Sequence, residues 1–360
     1  MTLPTEPLPH AGAFMQIEPT ATTTATETNT AGVPTTMRAA VGRRYGDADV
    51  LEVAEVPVPE PGPGDVLVRV EATSLNALDW HFVTGTPYLL RLMNGFRRPK
   101  RTIPGADVAG TVVAIGADVT RLRAGDRVFG ETNGGGCAPY VTVRAEHLVA
   151  IASQVSSESA GATPVAGLTA LQGLRTHGAV QTGDHVLVNG AAGGVGTFAV
   201  QIAKALGAEV TAVCSGRNVE MVRAIGADTV IDYEHEDVVD GGERFDVMLD
   251  NVGNRTAKEC VSVLRSGARY VAVSGPKENR WLGPVPFIVA TALRFRFAEP
   301  SFHQFTASPN DDDLTTLGDW LADGSIAPVI DRVIGLDEVA AGIAEIGTGH
   351  ARAKIVVVPT

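Results

Sequence analysis

The stretch Val186-Leu187-Val188-Asn189-Gly190-Ala191-Ala192-Gly193-Gly194-Val195-Gly196 decides the fold of this 360-residue chain. An apolar strand runs directly into a glycine-rich turn, and the turn opens a helix that has apolar residues on one face and stops at Gly207. The N–H groups at such a helix start bind a pyrophosphate, Gly193 lets the main chain approach that anion, and Gly196 lets helix and strand pack closely. Ala191 stands where the G-x-G-x-x-G pattern has its first glycine. The stretch therefore predicts a dinucleotide site, the alternative being an ordinary tight turn.

Strands and helices alternate on both sides of this turn, which favours the dinucleotide site. From about residue 155 onward, apolar strands alternate with segments of roughly 10–15 helical residues, a pattern that indicates a parallel sheet. The predicted strands are His185–Asn189, Glu209–Cys214, Thr229–Asp232, Phe245–Asp250 and 269–274.

The regions that flank this α/β part contain short strands separated by Pro- and Gly-rich turns. Residues 38–150 follow this pattern, and residues 326–360 return to it and end in Lys354-Ile355-Val356-Val357-Val358. β-rich parts on either side of an α/β insert predict one discontinuous and one continuous domain. The domains expected are a disordered N-terminal tail over 1–36, a β-rich domain over 37–155 and 300–360, and a nucleotide-binding domain over 156–299.

The N-terminal segment differs from the rest of the chain in composition. It is rich in Thr, Ala and Pro and has no Lys or Arg before Arg38. A signal peptide needs a basic start and a transit peptide needs Arg, so the segment predicts a disordered tail. The first periodic segment opens at Met37, which leads to the hypothesis that translation starts there.

Composition and charge exclude several classes of protein. With 44% hydrophobic residues the chain can bury a core, and a net charge of −12 argues against a nucleic-acid partner. Three scattered cysteines, Cys137, Cys214 and Cys260, cannot build a disulfide framework or a Cys-rich metal site. The longest apolar stretch, 285–293, is too short to span a bilayer. We therefore expect a soluble, cytoplasmic protein with no membrane partner.

The residues after the second α/β strand indicate which dinucleotide binds. NAD enzymes place an acid about 20 residues after the glycine turn, where it holds the ribose 2′-hydroxyl. Here Ser215-Gly216-Arg217 follows the strand, and Tyr233 follows the third strand. A hydroxyl, a guanidinium and a phenol suit a 2′-phosphate, so the pattern favours NADPH. The alternative leaves Arg217 as a solvated side chain.

Several motifs, taken together and in order, resemble the medium-chain dehydrogenase/reductase superfamily in its zinc-independent quinone oxidoreductase branch, over residues 37–360. Besides the glycine turn, the motifs are Pro61-Gly62-Pro63-Gly64-Asp65, Ser74-Leu75-Asn76-Ala77-Leu78-Asp79, Pro104-Gly105-Ala106-Asp107-Val108-Ala109-Gly110, Ala166-Gly167-Leu168-Thr169-Ala170, Ile225-Gly226-Ala227-Asp228, Asp250-Asn251-Val252-Gly253 and Gly349-His350-Ala351-Arg352-Ala353-Lys354. The resemblance implies a Rossmann-type doubly wound parallel sheet inserted in a GroES-like β-rich catalytic domain. It also implies a small-molecule substrate in the cleft between the two domains, and a homodimer.

The resemblance further implies which residues bind the cofactor. The pyrophosphate positions are Ala192, Gly193, Gly194 and Val195, and the 2′-phosphate positions are Ser215, Arg217 and Tyr233. The positions on the adenosine and nicotinamide side are Thr169, Asn251, Val273, Ser274 and Gly275. For Thr169 and Ser274, hydroxyls at a helix start and in a turn are an equally good interpretation.

No metal site is expected. Zinc-dependent relatives hold the catalytic metal with an early Cys, a Gly-His-Glu motif and a later Cys or Asp. Here Asn76 stands at the first position, Gly105-Ala106-Asp107 replaces the motif, and only Cys137 falls where a structural zinc lobe needs four cysteines. Without a Lewis acid to polarise an alcohol, hydride delivery to an activated acceptor fits better. Such an acceptor is a quinone or the β-carbon of an enone or enal.

Three side chains are the candidate catalytic residues. Asn76 offers an amide N–H to the oxyanion that develops on the substrate, although capping a turn is its simpler role. His81 offers a proton after hydride transfer, the alternative being a histidine with no role. Asp79 is expected to position the loop of Asn76. Residues 281–308, rich in Trp, Phe and Arg, predict a hydrophobic helix that is either a lid or an interface. Two further functions stay open: a non-catalytic NADPH-binding protein with a structural or sensing role, and an alcohol dehydrogenase.

Overall fold

The computed structural model describes residues 32–276 and 279–360. The predicted N-terminal tail lies almost entirely outside the described residues. Met37 lies in the first strand and is buried, and a translation start at that residue stays a prediction.

Strands and helices alternate along the described chain. The strands are β1 (Thr36–Gly42), β2 (Leu51–Pro57), β3 (Asp65–Leu75), β4 (Asp107–Ile115), β5 (Arg127–Glu131), β6 (Tyr140–Arg144), β7 (Leu148–Ala150), β8 (His185–Asn189), β9 (Glu209–Cys214), β10 (Thr229–Asp232), β11 (Phe245–Asp250), β12 (Leu264–Ala272), β13 (Ser301–Gln304), β14 (Ile330–Ile334) and β15 (Lys354–Val357). The α-helices are α1 (Ala77–Thr84), α2 (Arg91–Asn94), α3 (Ser157–Gly161), α4 (Pro164–Leu171), α5 (Gly194–Ala205), α6 (Val219–Ala224), α7 (Ala257–Ser262), α8 (Val285–Phe295), α9 (Asp311–Asp323) and α10 (Val339–Gly347). None of these helices combines the length and the apolar character that crossing a bilayer requires.

Six strands form a parallel sheet in the order β10-β9-β8-β11-β12-β13. The chain runs outward from β8 to β10 and then returns to β11, on the other side of β8. The order of the strands therefore reverses between β8 and β11, and ligands of open α/β sheets bind in the crevice at such a reversal. The carboxyl ends of these two strands, Asn189 and Asp250, lie side by side.

The glycine turn of the quoted stretch connects β8 to α5. Gly190 has φ +78°, which favours glycine. A side chain at Gly196 would collide with the carbonyl oxygen of Gly190, so helix and strand pack closely only because that residue is glycine. The apolar residues of α5 that face the sheet, among them Phe198 and Ile202, are fully buried.

The second large sheet is mostly antiparallel and has the order β14-β15-β3-β4-β5-β7, with β6 also paired to β3. Its strands come from both ends of the chain: β15 pairs antiparallel with β3, and Ile355 lies opposite Leu75. This pairing brings the C-terminal strand beside the Asn76 loop. The expected fold class, a Rossmann-type parallel sheet inserted in a GroES-like β-rich domain, is confirmed.

Four of the five predicted parallel strands match β8–β11, and three details differ. The fifth strand begins and ends earlier than predicted, at Leu264 and Ala272. Its start was missed because residues 265–267 are exposed and show no apolar pattern. The last strand of the parallel sheet, β13, lies beyond the predicted domain boundary at residue 299. The C-terminal region, expected to be strand-rich, also contains the helix α10. The domain boundaries themselves stay predictions.

Candidate functional site

Two adjoining clefts open where the carboxyl ends of the parallel strands meet the β-rich domain. The first, which we call the glycine-loop cleft, is lined by most of residues 190–196, by the end of β9, by Tyr233 directly after β10, and by most of residues 349–355. The second, the interdomain cleft, lies between α1 and the residues that follow β11 and β12. The two clefts share Asn76, Val195 and Asn251, so a ligand in one reaches the other.

The glycine turn presents free main-chain N–H groups to the first cleft. α5 begins at Gly194, and Gly193 is its N-cap. The N–H groups in the first turn of a helix have no partner within the helix, and they carry the positive end of the helix dipole. A Cβ built on Gly193 would meet only the carbonyl oxygen of Gly190, at 3.7 Å, so an anion can approach the main chain there. The predicted pyrophosphate residues Ala192, Gly193, Gly194 and Val195 all line this cleft.

The three residues predicted to hold a 2′-phosphate lie together in the same cleft. Ser215 is buried at its wall, Tyr233 is half exposed, and Arg217 donates to the carbonyl oxygen of His350 at 3.0 Å. A carboxylate is also near, because a Cβ at Gly216 would be 2.6 Å from Oδ2 of Asp232. Among the residues that line the cleft, however, Ser215, Arg217 and Tyr233 are present and Asp232 is not.

Several buried polar atoms along the glycine-loop cleft lack a hydrogen-bond partner in the described part of the chain. They are Oδ1 of Asn218, Oδ1 of Asn251 and Nε of Arg255. An unpaired buried polar atom costs about 1–3 kcal/mol, and a polar ligand removes that cost. Two acceptors, one donor and the open main chain at Gly193 therefore fit a large polar ligand such as a dinucleotide.

A buried hydrogen-bonded network centred on Asp107 connects the two clefts. Oδ2 of Asp107 accepts from Nζ of Lys354 at 3.3 Å, from Nδ2 of Asn76 at 2.8 Å and from the hydroxyl of Ser74. Oδ1 accepts from the main-chain N–H of Val165, at the start of α4, at 2.7 Å. Lys354 and Asp107 are 1% and 0% exposed, so this ion pair is fully removed from water.

The network determines how the Asn76 amide is oriented. Its Oδ1 accepts from Nζ of Lys354 at 2.6 Å, and an ammonium can only donate. The amide nitrogen must then face Asp107, and its second hydrogen goes to the carbonyl oxygen of Ser74 at 3.3 Å. Both amide hydrogens are therefore used within the protein. An oxyanion role for Asn76 stays a prediction, and it requires that the longer bond, to Ser74, opens.

Asp79 lies behind the Asn76 loop and does not line either of the two clefts as the structure describes them. Its carboxylate accepts from the main-chain N–H of Asn76 at 2.8 Å and from that of Gly105 at 2.7 Å. Burial raises the pKa of Asp79 to about 6 against these two hydrogen bonds. The contacts agree with the predicted positioning role, because Asp79 ties the start of α1 to residue 105.

The other predicted site residues line the interdomain cleft. His81, Thr169, Val273, Ser274 and Gly275 are all on its wall. Nδ1 of His81 is 2.6 Å from the carbonyl oxygen of Thr86, so Nδ1 carries a hydrogen. The Thr169 hydroxyl donates to the carbonyl oxygen of Val165 at 2.6 Å, within its own helix.

Two residues of this site, Glu131 and Lys354, were missed as functional residues by sequence reasoning. Glu131 ends β5 directly opposite Asp107 on β4, and its side chain lines the interdomain cleft. Burial, then the negative charges of Asp107 and Asp79, raise the pKa of Glu131 to about 8, whereas Arg101 lowers it. Each residue has one signal in the sequence that could have identified it. Glu131 is an acid at the end of an apolar strand, and Lys354 is a lysine at the start of the buried strand β15.

Comparisons with known proteins agree with this architecture. Residues 62–153 match the family model for the alcohol dehydrogenase GroES-like domain, and residues 225–357 match that for zinc-binding dehydrogenases. Quinone-oxidoreductase QR1 of Triphysaria versicolor is 33% identical over 333 residues, which cover 87% of this chain and 95% of that protein. The NADPH-dependent alkenal/one oxidoreductase of Arabidopsis thaliana is 32% identical over 91% of this chain and 81% of its own. The quinone oxidoreductase structure from Coxiella burnetii superimposes with a TM-score of 0.79 at 28% identity, over 90% of this chain and all of that one.

The buried ion pair predicts a large cost when its cation is removed. Lys354→Met leaves Asp107 charged and buried, and we expect the free energy of unfolding to fall by about 3–5 kcal/mol. Lys354→Met combined with Asp107→Asn should recover a substantial part of the loss. Urea unfolding followed by circular dichroism measures all three.

The matched control is Lys204→Met, which breaks the partly exposed pair of Lys204 with Asp228 and should cost less than about 1 kcal/mol. If Lys354→Met costs no more than this control, the network does not stabilise the fold.

Proposed function

This chain belongs to the medium-chain dehydrogenase/reductase superfamily, in its quinone oxidoreductase-like branch, and we propose that it is a zinc-independent, NADPH-dependent reductase of quinones or α,β-unsaturated carbonyl compounds. The observation that carries this proposal is the junction of the two clefts. A glycine-loop cleft suited to a dinucleotide opens at Asn76 and Val195 into an interdomain cleft large enough for a second ligand.

The residues of the glycine-loop cleft suit NADPH. The main chain of Ala192, Gly193, Gly194 and Val195 would hold the pyrophosphate, and Ser215, Arg217 and Tyr233 the 2′-phosphate. Thr169, Asn251, Val273, Ser274 and Gly275 would line the rest of the cofactor. When bound there, NADPH supplies a hydride.

Lys354 supports a mechanism without zinc. The resemblance assigns the first catalytic zinc position to Asn76 and the second to Ala106, which has no ligand atom. Nζ of Lys354 contacts Asn76 and Asp107, the residue after Ala106. The ammonium therefore lies between the two side chains and supplies the positive charge that balances Asp107. A divalent cation at that point would have to displace it.

In this proposal, residues of the interdomain cleft donate the proton that the reaction needs. Adding hydride to an enone or a quinone leaves negative charge on a carbonyl oxygen, and a donor aimed at that oxygen lowers the barrier. We propose Glu131 and His81 as these donors, because both line the cleft. A carboxylic acid kept neutral by burial donates a hydrogen bond that a carboxylate cannot.

A homodimer and a cytoplasmic location are also parts of this proposal. The dimer follows from the resemblance, and the strand order leaves β13 at an edge of the parallel sheet, where a second copy can pair with it. Sedimentation equilibrium measures the assembly, and a purely monomeric chain would remove that part. Fractionation of the source cells tests the location.

The proposed function is tested by NADPH consumption across a panel of quinones, enals and enones. We expect turnover with at least one of these classes and no zinc in the purified protein by elemental analysis. Binding of NADPH without turnover of any acceptor would indicate a non-catalytic binding protein. Stoichiometric zinc together with alcohol oxidation would indicate an alcohol dehydrogenase.

Arg217→Ala tests the choice of cofactor. Loss of a charge-assisted hydrogen bond to phosphate should weaken NADPH by about 10- to 150-fold and leave NADH almost unchanged. Dissociation constants from nicotinamide fluorescence measure both cofactors. Arg223→Ala, at an exposed arginine on α6 paired with Glu220, is the control and should change neither. Equal losses with the two cofactors at Arg217 would contradict the assignment.

Glu131→Gln tests the proton donor. The raised pKa keeps Glu131 protonated below about pH 8, so kcat/KM of the wild type should fall as the pH rises through about 8. Glutamine still donates a hydrogen bond but has no proton to lose. The variant should therefore be slower at neutral pH and flat through this range. Glu146→Gln, at an exposed residue after β6, should keep the wild-type profile. An unchanged pH profile in Glu131→Gln would assign the proton to another group.

A further inference from the structure

A surface that is both apolar and basic flanks the mouth of the interdomain cleft. It combines residues 88–101 with residues 280–297, and we call it the basic-apolar surface. The two segments are joined, because the N–H groups of Tyr88 and Leu89 donate to the carbonyl oxygens of Arg280 and Trp281 at 2.8 and 3.2 Å. The rings of Tyr88 and Trp281 also meet edge to face, with centroids 5.1 Å apart.

Large apolar side chains of both segments face outward. Leu92, Met93 and Phe96 are 70–78% exposed in the first segment. In the second, α8 exposes residues spaced four apart, and therefore on one face of the helix, and its other face is buried through Thr291 and Phe295. The exposed residues of the second segment are Trp281, Leu282, Val285, Val289, Leu293 and Phe297. The fold does not need this outward stripe, and exposed apolar patches of this kind mark interaction sites.

The same surface is positively charged in an otherwise acidic protein. Residues 80–106 contain five Lys or Arg and no Asp or Glu, and residues 279–298 contain three Arg and no acid. The whole chain carries a net charge of −12. Arg97, Arg98 and Lys100 are exposed beside Phe96. A partner for this surface must therefore be anionic and must also accept apolar side chains.

We propose that the basic-apolar surface docks on an anionic lipid bilayer. Arg and Lys next to exposed Trp, Phe and Leu are the residues that bind a bilayer at its interface, where basic groups meet phosphate headgroups and apolar groups enter the acyl boundary. A second copy of the chain fits less well, because a twofold contact of this surface with itself brings like charges together. The proposal departs from the expectation of no membrane partner, which was based only on the lack of a spanning segment.

Docking in this way places the cleft mouth at the lipid. A smaller cavity between the two segments is lined by His81, Pro87, Ser274 and Gly283, and His81 and Ser274 also line the interdomain cleft. An apolar quinone or enone dissolved in the bilayer can then enter without crossing water. This consequence depends on the proposed function, whereas the docking itself does not.

Vesicle co-sedimentation of the full chain tests the docking without turnover. We expect binding to vesicles of phosphatidylcholine with phosphatidylglycerol, little binding to phosphatidylcholine alone, and weaker binding as salt rises. Replacing Arg97, Arg98 and Lys100 with Gln should weaken partitioning on the order of 100-fold, since each basic residue near the headgroups contributes about a factor of 5–10. Leu92→Ser combined with Met93→Ser and Phe96→Ser should also weaken binding, at every salt concentration.

The control replaces three exposed arginines elsewhere, Arg123, Arg223 and Arg244, with Gln and should bind like the wild type. Thermal melting shows whether each variant is folded. Equal binding to both kinds of vesicle, or equal binding by the control and the two surface variants, would overturn the proposal. So would a wild-type dimer that both surface variants convert to monomer, because the surface would then be an interface between copies.

Discussion

The buried ammonium of Lys354 is the interaction on which the rest of the site depends. Taking a charge out of water costs several kcal/mol, and only close opposite charges and dipoles offset it. Lys354 finds them in the carboxylate of Asp107 and the amide oxygen of Asn76, which lie 247 and 278 residues away in sequence. The C-terminal strand, β4 and the start of α1 are therefore held together at a single point. Asp107 also accepts from Val165, so α4 of the nucleotide-binding region is attached to the same point.

The same constraint affects the pKa values of the neighbouring acids. Asp107, Asp79 and Glu131 lie close enough for their charges to interact. The charge of Asp107 is balanced by Lys354 and by its hydrogen bonds to Asn76 and Ser74. The other two carboxyls have no such cation at contact distance in the described chain, and burial favours their neutral forms. Arg101 lowers the pKa of Glu131 only in part, and burial together with the two neighbouring carboxylates still raises that pKa to about 8.

Local patterns predicted the nucleotide half of the molecule well. Three features could be predicted from motifs and spacing: the glycine turn, four parallel strands, and the grouping of Ser215 with Arg217 and Tyr233. Each depends on residues that are adjacent in sequence or lie on neighbouring strands. Lys354 and Glu131 escaped notice because their roles depend on pairing between distant strands, which one sequence does not show. The orientation of the Asn76 amide could not be predicted for the same reason. Whether this amide donates to a substrate or to Asp107 depends on the position of Lys354. The strand β13 was missed because four residues with little apolar pattern carry a weak signal.

Net charge is a poor guide to partners in a chain of this kind. A total of −12 describes the average over the sequence, but electrostatic attraction in physiological salt acts over about 8–10 Å. The two segments of the basic-apolar surface contain Lys and Arg but no Asp or Glu, so the charges of this surface itself are all positive. The acidic residues of the chain are concentrated elsewhere. Asp311, Asp312 and Asp313, for example, form the first turn of α9, where the positive end of the helix dipole stabilises negative charge. An acidic protein can therefore carry a basic surface, and in the docking proposed above an anionic bilayer attracts that surface although the protein as a whole has the same sign of charge as the bilayer.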